Sequence, residues 1–173
     1  MATIFPQSNF YNAQNAFVML FDAVNRQGLE YETETKELFN IGFYIQNTVE
    51  TDINVDWFNW KKEASKAIIS AKQLKDIIKR LHQKSDLIWL NEEQTIGFSI
   101  VDEKVCLNIV ASALDIWTDF CTKQYYFSKL QQFIAKGLHL KVGWSYYFIA
   151  RLQLTKEHYN ADYNFYKLQG LEE

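Results

Sequence analysis

Glycine, proline and cysteine are all scarce in this 173-residue chain, which holds six glycines, one proline (Pro6) and two cysteines. So few glycines leave little backbone for cradling phosphates, and no phosphate loop, GxGxxG or GxSxG motif occurs. Cys106 and Cys121 form no CxxC pair and follow no secretion signal, which points to reduced, buried thiols in a cytoplasmic protein. The opening MATIFPQSNF has neither a basic region nor a long apolar run, and no apolar run reaches the roughly eighteen residues of a membrane span. His82, His139 and His158 lie far apart, and only His158 has another potential ligand three or four residues away, Asp162. Metal sites need three or four clustered ligands, so neither a metal nor a cofactor is expected.

Large side chains are plentiful instead: 48% of residues are hydrophobic and 16% aromatic. The length suits a single domain over residues 1–173, burying about two thirds of its unfolded surface. Rings on this scale fill a core, line an interface, or both. An A/T-rich coding sequence would enrich the same Phe, Tyr, Asn, Ile and Lys, so composition alone does not choose. The net charge of −3 hides a strong asymmetry, because residues 61–84 carry +6 and the remainder −9.

Hydrophobic periodicity predicts a helix from about Asn9 to Arg26, with Phe10, Phe17, Leu20, Phe21 and Val24 on one stripe and Gly28 as its stop. Period-two alternation then predicts strands over LEYETET and FNIGFYIQ, turning near Thr35 to Glu37. A basic helix follows from about Trp57 to Gln83, capped by Asp56, with His82 on its apolar side. Three short strands come next, Leu87–Leu90, Thr95–Val101 and Lys104–Val110, the last two joined by a tight Asp102-Glu103 turn. A long helix from Ala113 breaks at Gly137 and feeds one long strand to Leu154. In that strand Leu138, Leu140, Val142, Trp144, Tyr146, Phe148, Ala150, Leu152 and Leu154 share one face, leaving Tyr147 and Ile149 on the nominally outer side. A short terminal helix with Tyr159, Tyr163 and Tyr166 closes the chain. The pattern is α+β: one large mixed or antiparallel sheet with long helices packed on one face.

Few of these residues suggest chemistry. Glu92 and Glu93 are adjacent, so on a strand they face opposite ways, and a solvated hairpin end accounts for them. Lys61, Lys62, Lys66, Lys72, Lys79 and Arg80 could track a phosphate backbone, but no stacking aromatics interleave them and the whole protein is acidic. A solvated helix, or one facing an acidic partner, is favoured. Ile69 falls amid the charged side, where an exposed apolar residue can mark a contact.

The order of elements and several residues resemble the thymidylate synthase and deoxycytidylate hydroxymethylase family. Gln73-Leu74 opens an apolar stripe, Asp115 lies where the Asp of the family's Arg-Ser-X-Asp falls, and Phe127, Leu130, Ile134 and Ala135 fit its following helix. Leu140-Lys141-Val142-Gly143 is similar to Leu-Lys-Pro-Gly, and His158 matches a terminal His. The two patterns run together without a gap from Leu90 to His158, and more loosely before. The resemblance implies a thymidylate synthase-like fold and sheet-to-sheet pairing as a homodimer or heterodimer.

The departures from that pattern fall on its chemistry. The family's nucleophilic cysteine would be Glu92, its phosphate-gripping arginine Ser112, its pyrimidine-reading Asn Lys123, and its ribose-binding pair Gln153 and Thr155. No arginine lies between Arg26 and Arg80 to match a second phosphate ligand, and the shortened region spans residues 47 to 72. A carboxylate cannot add to a pyrimidine as a thiolate does. The expected remnant cleft is therefore Glu92, Ser112, Asp115, Lys123, Gln153, Thr155 and His158, with no catalytic residue. The expected function is a non-catalytic thymidylate synthase-like protein that binds a protein partner or itself through the sheet face. Two alternatives stay open: a nucleotide-binding enzyme with altered pyrimidine chemistry using Asp115, Lys123 and His158, and a nucleic-acid binder using the basic helix. The candidate interaction face is Lys62, Lys66, Ile69, Lys72, Arg80, Tyr147 and Ile149.

Overall fold

The computed structural model describes residues 8–31, 34–49, 53, 70–83, 88–91 and 94–161. In chain order these form β1 (Ser8–Phe10), α1 (Ala13–Gln27), β2 (Leu29–Tyr31), β3 (Thr35–Ile45), α2 (Ala71–Gln83), β4 (Ile88–Asn91), β5 (Gln94–Val101), β6 (Lys104–Ala111), β7 (Leu114–Asp115), α3 (Asp119–Leu138) and β8 (Lys141–Thr155). A 3-10 helix, Lys156–Ala161, follows. The strands join one mixed sheet in the order β1-β3-β8-β6-β5-β4, with β2 on β3 and β7 on β8. The fold class is α+β, as the periodicities predict.

The topology explains why one face carries the helices. β1 and β3 are parallel neighbours connected through α1, and β6 and β8 are parallel neighbours connected through α3. Because β3 and β8 run antiparallel, the two units are related by a half turn about the sheet normal. Crossovers of the usual right hand then set both helices on the same side. There α1 buries Ala13, Ala16, Phe17, Leu20, Phe21 and Val24, the stripe a 3.6-residue period demands. Rings fill the space beneath: Phe43 stacks on Tyr147 at 4.9 Å, Phe17 meets Phe120 at 6.4 Å, and Trp117 packs on Phe21 at 5.2 Å.

Local chemistry moves several boundaries. The first helix starts at Ala13 because Ser8–Phe10 pair with Phe43–Ile45, and the Asn12 side chain then accepts from Asn15 N at 2.9 Å as its cap. The basic helix begins at Ala71, where Ser70 and Gln73 form a reciprocal capping box: Gln73 N donates to Ser70 Oγ at 3.2 Å and Ser70 N to Gln73 Oε1 at 2.8 Å. The expected earlier part, Asp56 to Ile69, lies outside the described residues, as does the expected terminal helix beyond Ala161. His82 is exposed, not on the apolar side. Gly137 does not break α3. It is where α2 crosses, with Ile78 Cδ1 2.8 Å from where a Cβ would stand, and the helix ends two residues later at His139 in the left-handed region (φ 57°).

The sheet has a crease. Up to it, the buried rows are Ile45–Ser145–Leu107, Phe43–Tyr147–Ile109 and Ile41–Ile149–Ala111, all odd-numbered. Beyond it, the buried row is Leu38–Leu152–Leu114, all even. All three strand lines therefore exchange faces together, at Asn40 with φ 56°, at Ala150–Arg151 and in the gap between β6 and β7. Asn is the non-glycine residue that best tolerates that backbone.

This sets the facing of β8. Gly143, Ser145, Tyr147 and Ile149 are buried towards the helices, while Trp144, Tyr146, Phe148 and Ala150 are only half-buried on the other face. Tyr147 and Ile149, expected on the outer side, are 3% and 0% exposed. Tyr147 and Ile149 make the second face of the strand partly apolar as well, so the alternation does not decide which face the helices cover.

Candidate functional site

Six residues of the expected cleft are described, and Glu92 lies outside them. Asp115 and Gln153 are direct partners between β7 and β8, and Thr155 follows two residues on, opposite Thr35. Lys123 sits 3.4 Å from Asp119 Oδ2, which also accepts from Asp115 N at 3.5 Å. His158 stacks on Trp117 at 5.2 Å. Ser112 is exposed in the gap between β6 and β7. Asp115, Gln153 and Thr155 are thus brought together, whereas Lys123 and His158 join only through Asp119 and Trp117.

The geometry gives these residues structural work. Asp115 Oδ1 accepts from Trp117 N at 2.9 Å, Thr118 N at 2.8 Å and Thr118 Oγ1 at 3.1 Å, an Asx turn leading into α3. Its Oδ2 and Thr155 Oγ1 are buried without a hydrogen-bond partner. Glu37 pairs with Gln153 from the other side, is 4% exposed, and has Arg151 Nη1 at 4.0 Å. No activated nucleophile joins this row. Burial pushes the Cys121 thiol up to about 12, and burial also raises Cys106, so neither supplies a thiolate near neutrality. Among the described residues no three His, Cys, Asp or Glu side chains are placed to hold a metal ion, and no helix is long and apolar enough to cross a membrane.

The other end of the same sheet offers a different surface. On the face away from the helices, two cross-strand rows run Gly42–Phe148–Val110–Thr95 and Tyr44–Tyr146–Asn108–Gly97. Tyr44 lies 4.7 Å from Tyr146 and meets Trp144 edge-on at 5.2 Å and 86°. Val110 is 38% exposed beside them. Beyond Trp144 the strip runs into a depression of about 490 Å³ lined by Asn9, Tyr44, Gln46, Lys104, Val142, Gly143 and Trp144.

A register shift positions that depression. Val105 opposes Val142, but Leu107 opposes Ser145, so β8 carries one extra residue at Gly143 and Trp144. The ladder there is interrupted, and Gln131 from α3 occupies the place. Its Nε2 donates to Val105 O at 2.7 Å and reaches Gly143 O and Trp144 O at 3.2 Å, while Oε1 accepts from Ser145 Oγ at 3.2 Å. Thr48 Oγ1 also donates to Gly143 O, at 3.0 Å. Gly143 is required by close approach, since a Cβ would stand 3.0 Å from Val105 O and closer still to Cys106 Sγ.

Of the expected interaction face, Lys62, Lys66 and Ile69 lie outside the described residues. Lys72 and Arg80 are exposed on α2, Arg80 being 4.0 Å from Asp76. Sequence reasoning did not single out Asn9, Tyr44, Gln46, Lys104 or Gln131. The period-two spacing of Trp144, Tyr146 and Phe148 puts them on one face of their strand, but it carries no sign that this face is the one away from the helices.

Comparison with known protein families finds no match to this chain, and no characterised protein matches it either.

Proposed function

We propose that this protein is a non-catalytic binding or assembly subunit that recognises a protein partner, or a second copy of itself, through the sheet face away from the helices. One observation carries the reading: Tyr44, Trp144, Tyr146, Phe148 and Val110 form a continuous aromatic and aliphatic strip on a face that none of the three described helices covers. Rings with a polar tip are the side chains interfaces enrich, and an apolar strip of this kind is how a sheet offers a docking surface. The reading keeps the thymidylate synthase-like resemblance as ancestry of the framework without its reaction. Two raised cysteine thiols, and a serine at Ser112 where the family's arginine would stand, support that part.

The test uses Val110→Asp, which puts a charge at the half-exposed centre of the strip where the backbone ladder is undisturbed. Sedimentation of the purified protein over a hundredfold concentration range, with affinity capture from its native host, reads self-association and partner binding. The proposal expects a stoichiometric complex that V110D loses while its circular dichroism stays unchanged. A protein that stays monomeric and captures nothing stoichiometric, or a complex indifferent to V110D, would overturn it.

A further inference from the structure

The depression beside Trp144 has features that a flat protein contact does not need. Its volume of about 490 Å³ falls within the range of small-molecule pockets. Trp144 and Tyr44 stand at 86° to each other, so a planar ring laid parallel to Trp144 would stand nearly perpendicular to Tyr44, the orientation that ring quadrupoles favour. Asn9 and Gln46 carry terminal amides, each with donors and an acceptor, and neither makes a side-chain hydrogen bond among the described residues. Asn9 shares the face of Tyr44 because the two are parallel partners between β1 and β3.

The charge at this site is cationic where it is unspent. Lys104 lines the depression, and its partner across the ladder is Lys141, both exposed. Neither ammonium has an ion-pair partner among the described residues, although the adjoining turn carries Asp102 and Glu103. Two like charges opposed on neighbouring strands repel, and an anion between them relieves that repulsion.

We propose that the depression binds a small N-heteroaromatic anion. The ring lies on Trp144, its nitrogen-bearing edge pairs with the amides of Asn9 and Gln46, and its carboxylate or phosphate meets Lys104. A plain aromatic acid would leave both amides unpaired, and an acidic sugar would lose the ring-face contact. The site shares Tyr44 and Trp144 with the strip, but Val110 lies outside its lining, so V110D and the ligand titration test the two readings separately.

Isothermal titration of the full chain with nicotinate, benzoate, glucuronate and inorganic phosphate tests this. Saturable binding of nicotinate is expected, with benzoate about tenfold weaker for want of the amide pairing and the other two weaker still. Lys104→Gln should weaken nicotinate about tenfold, and Asn9→Ala should reduce its advantage over benzoate while leaving benzoate unchanged. Trp144→Leu should abolish binding, and a near-native thermal midpoint for K104Q keeps the result readable if W144L unfolds. No saturable nicotinate binding, equal binding of phosphate or glucuronate, or indifference to K104Q would each overturn the proposal.

Discussion

Replacing Gln131 by methionine, which keeps the length and removes the amide, should be among the most destabilising single changes in this chain. Gln131 is fully buried, and its two amide hydrogens are divided among Val105 O, Gly143 O and Trp144 O while its oxygen takes the Ser145 hydroxyl. That is three hydrogen bonds' worth of capacity at about 1 kcal/mol each, and the carbonyls left dry add to it, so the expected loss is about 3 to 5 kcal/mol. For a chain of this size the melting temperature should fall by about 10 °C. Urea unfolding followed by circular dichroism measures it, with the slope unchanged. Thr48→Val sharpens the test, because Gly143 O accepts from both Thr48 and Gln131. Either single variant leaves that carbonyl one donor and the double variant leaves none, so the double should exceed the sum by about 1 kcal/mol. A loss under about 0.5 kcal/mol for Q131M, or strict additivity, would refute the claim that Gln131 satisfies the bulge.

Three other perturbations probe separate parts of the fold. Asp102 and Glu103 both have positive φ (49° and 57°), the two-residue turn type that favours Asp-Gly, so Glu103→Gly should stabilise by about 0.5 to 1 kcal/mol in the same urea assay. Cys121 is raised from 9.0 to about 12 by burial, and Tyr147 is also raised by burial. The folded state therefore holds protons the unfolded chain has already released. The stability these groups contribute is complete below about pH 9 and falls above it, by about 1.4 kcal/mol per pH unit for the thiol alone until the folded pKa is reached. Cys121→Ser should flatten that alkaline slope, and an unaltered slope between pH 9 and 10.5 would count against the burial. Asp115→Asn keeps the acceptor that caps Trp117 and Thr118 and should cost under about 1 kcal/mol, whereas Asp115→Ala removes it and should cost about 2 to 3 kcal/mol; equal losses would mean that the charge, not the turn, is what matters.

What the sequence disclosed follows from which side chains had a polar counterpart. The stripe of α1, the hairpin through Asp102-Glu103 and the length of β8 were legible because each sets apolar residues against polar ones or carries a turn residue. The facing of β8 was not, since Trp144, Tyr146 and Phe148 alternate with Tyr147 and Ile149, and the helices cover the face holding Gly143 and Ser145. Gln131 falls on the apolar stripe of α3, four residues after Phe127 and three before Ile134, and its role there depends on the register shift that supplies its acceptors, a shift between β6 and β8 that no local pattern encodes. β1 is three residues long and takes its conformation from β3. The start of α2 was available as Ser70-Ala-Lys-Gln73, a capping box inside a longer apolar period. Among the expected cleft residues, Asp115, Gln153 and Thr155 meet because β7 continues the line of β6 in the same register, a tertiary fact with no local signal.

The crease ties the two candidate surfaces to one strand. Before it, the residues of β8 turned away from the helices are Trp144, Tyr146 and Phe148; after it, they are Arg151, Gln153 and Thr155, since Leu152 and Leu154 are the buried ones. On the buried face a three-residue step from Ile149 to Leu152 replaces the two-residue step of an unbroken strand, and on the outer face of β8 the side-chain chemistry changes there from aromatic to polar. β3 changes only in part, since beyond the step it presents Phe39, still an exposed ring, and then Glu37. Had β3 and β8 continued without the exchange, Leu38, Leu152 and Leu154 would face away from the core, and Glu37 and Gln153 would point into it. The left-handed backbone at Asn40 therefore does two things at once. It keeps apolar side chains against the helices on both sides of the crease, and it ends the run of rings on β8 at Phe148, in the half of the face that leads to the depression at Trp144.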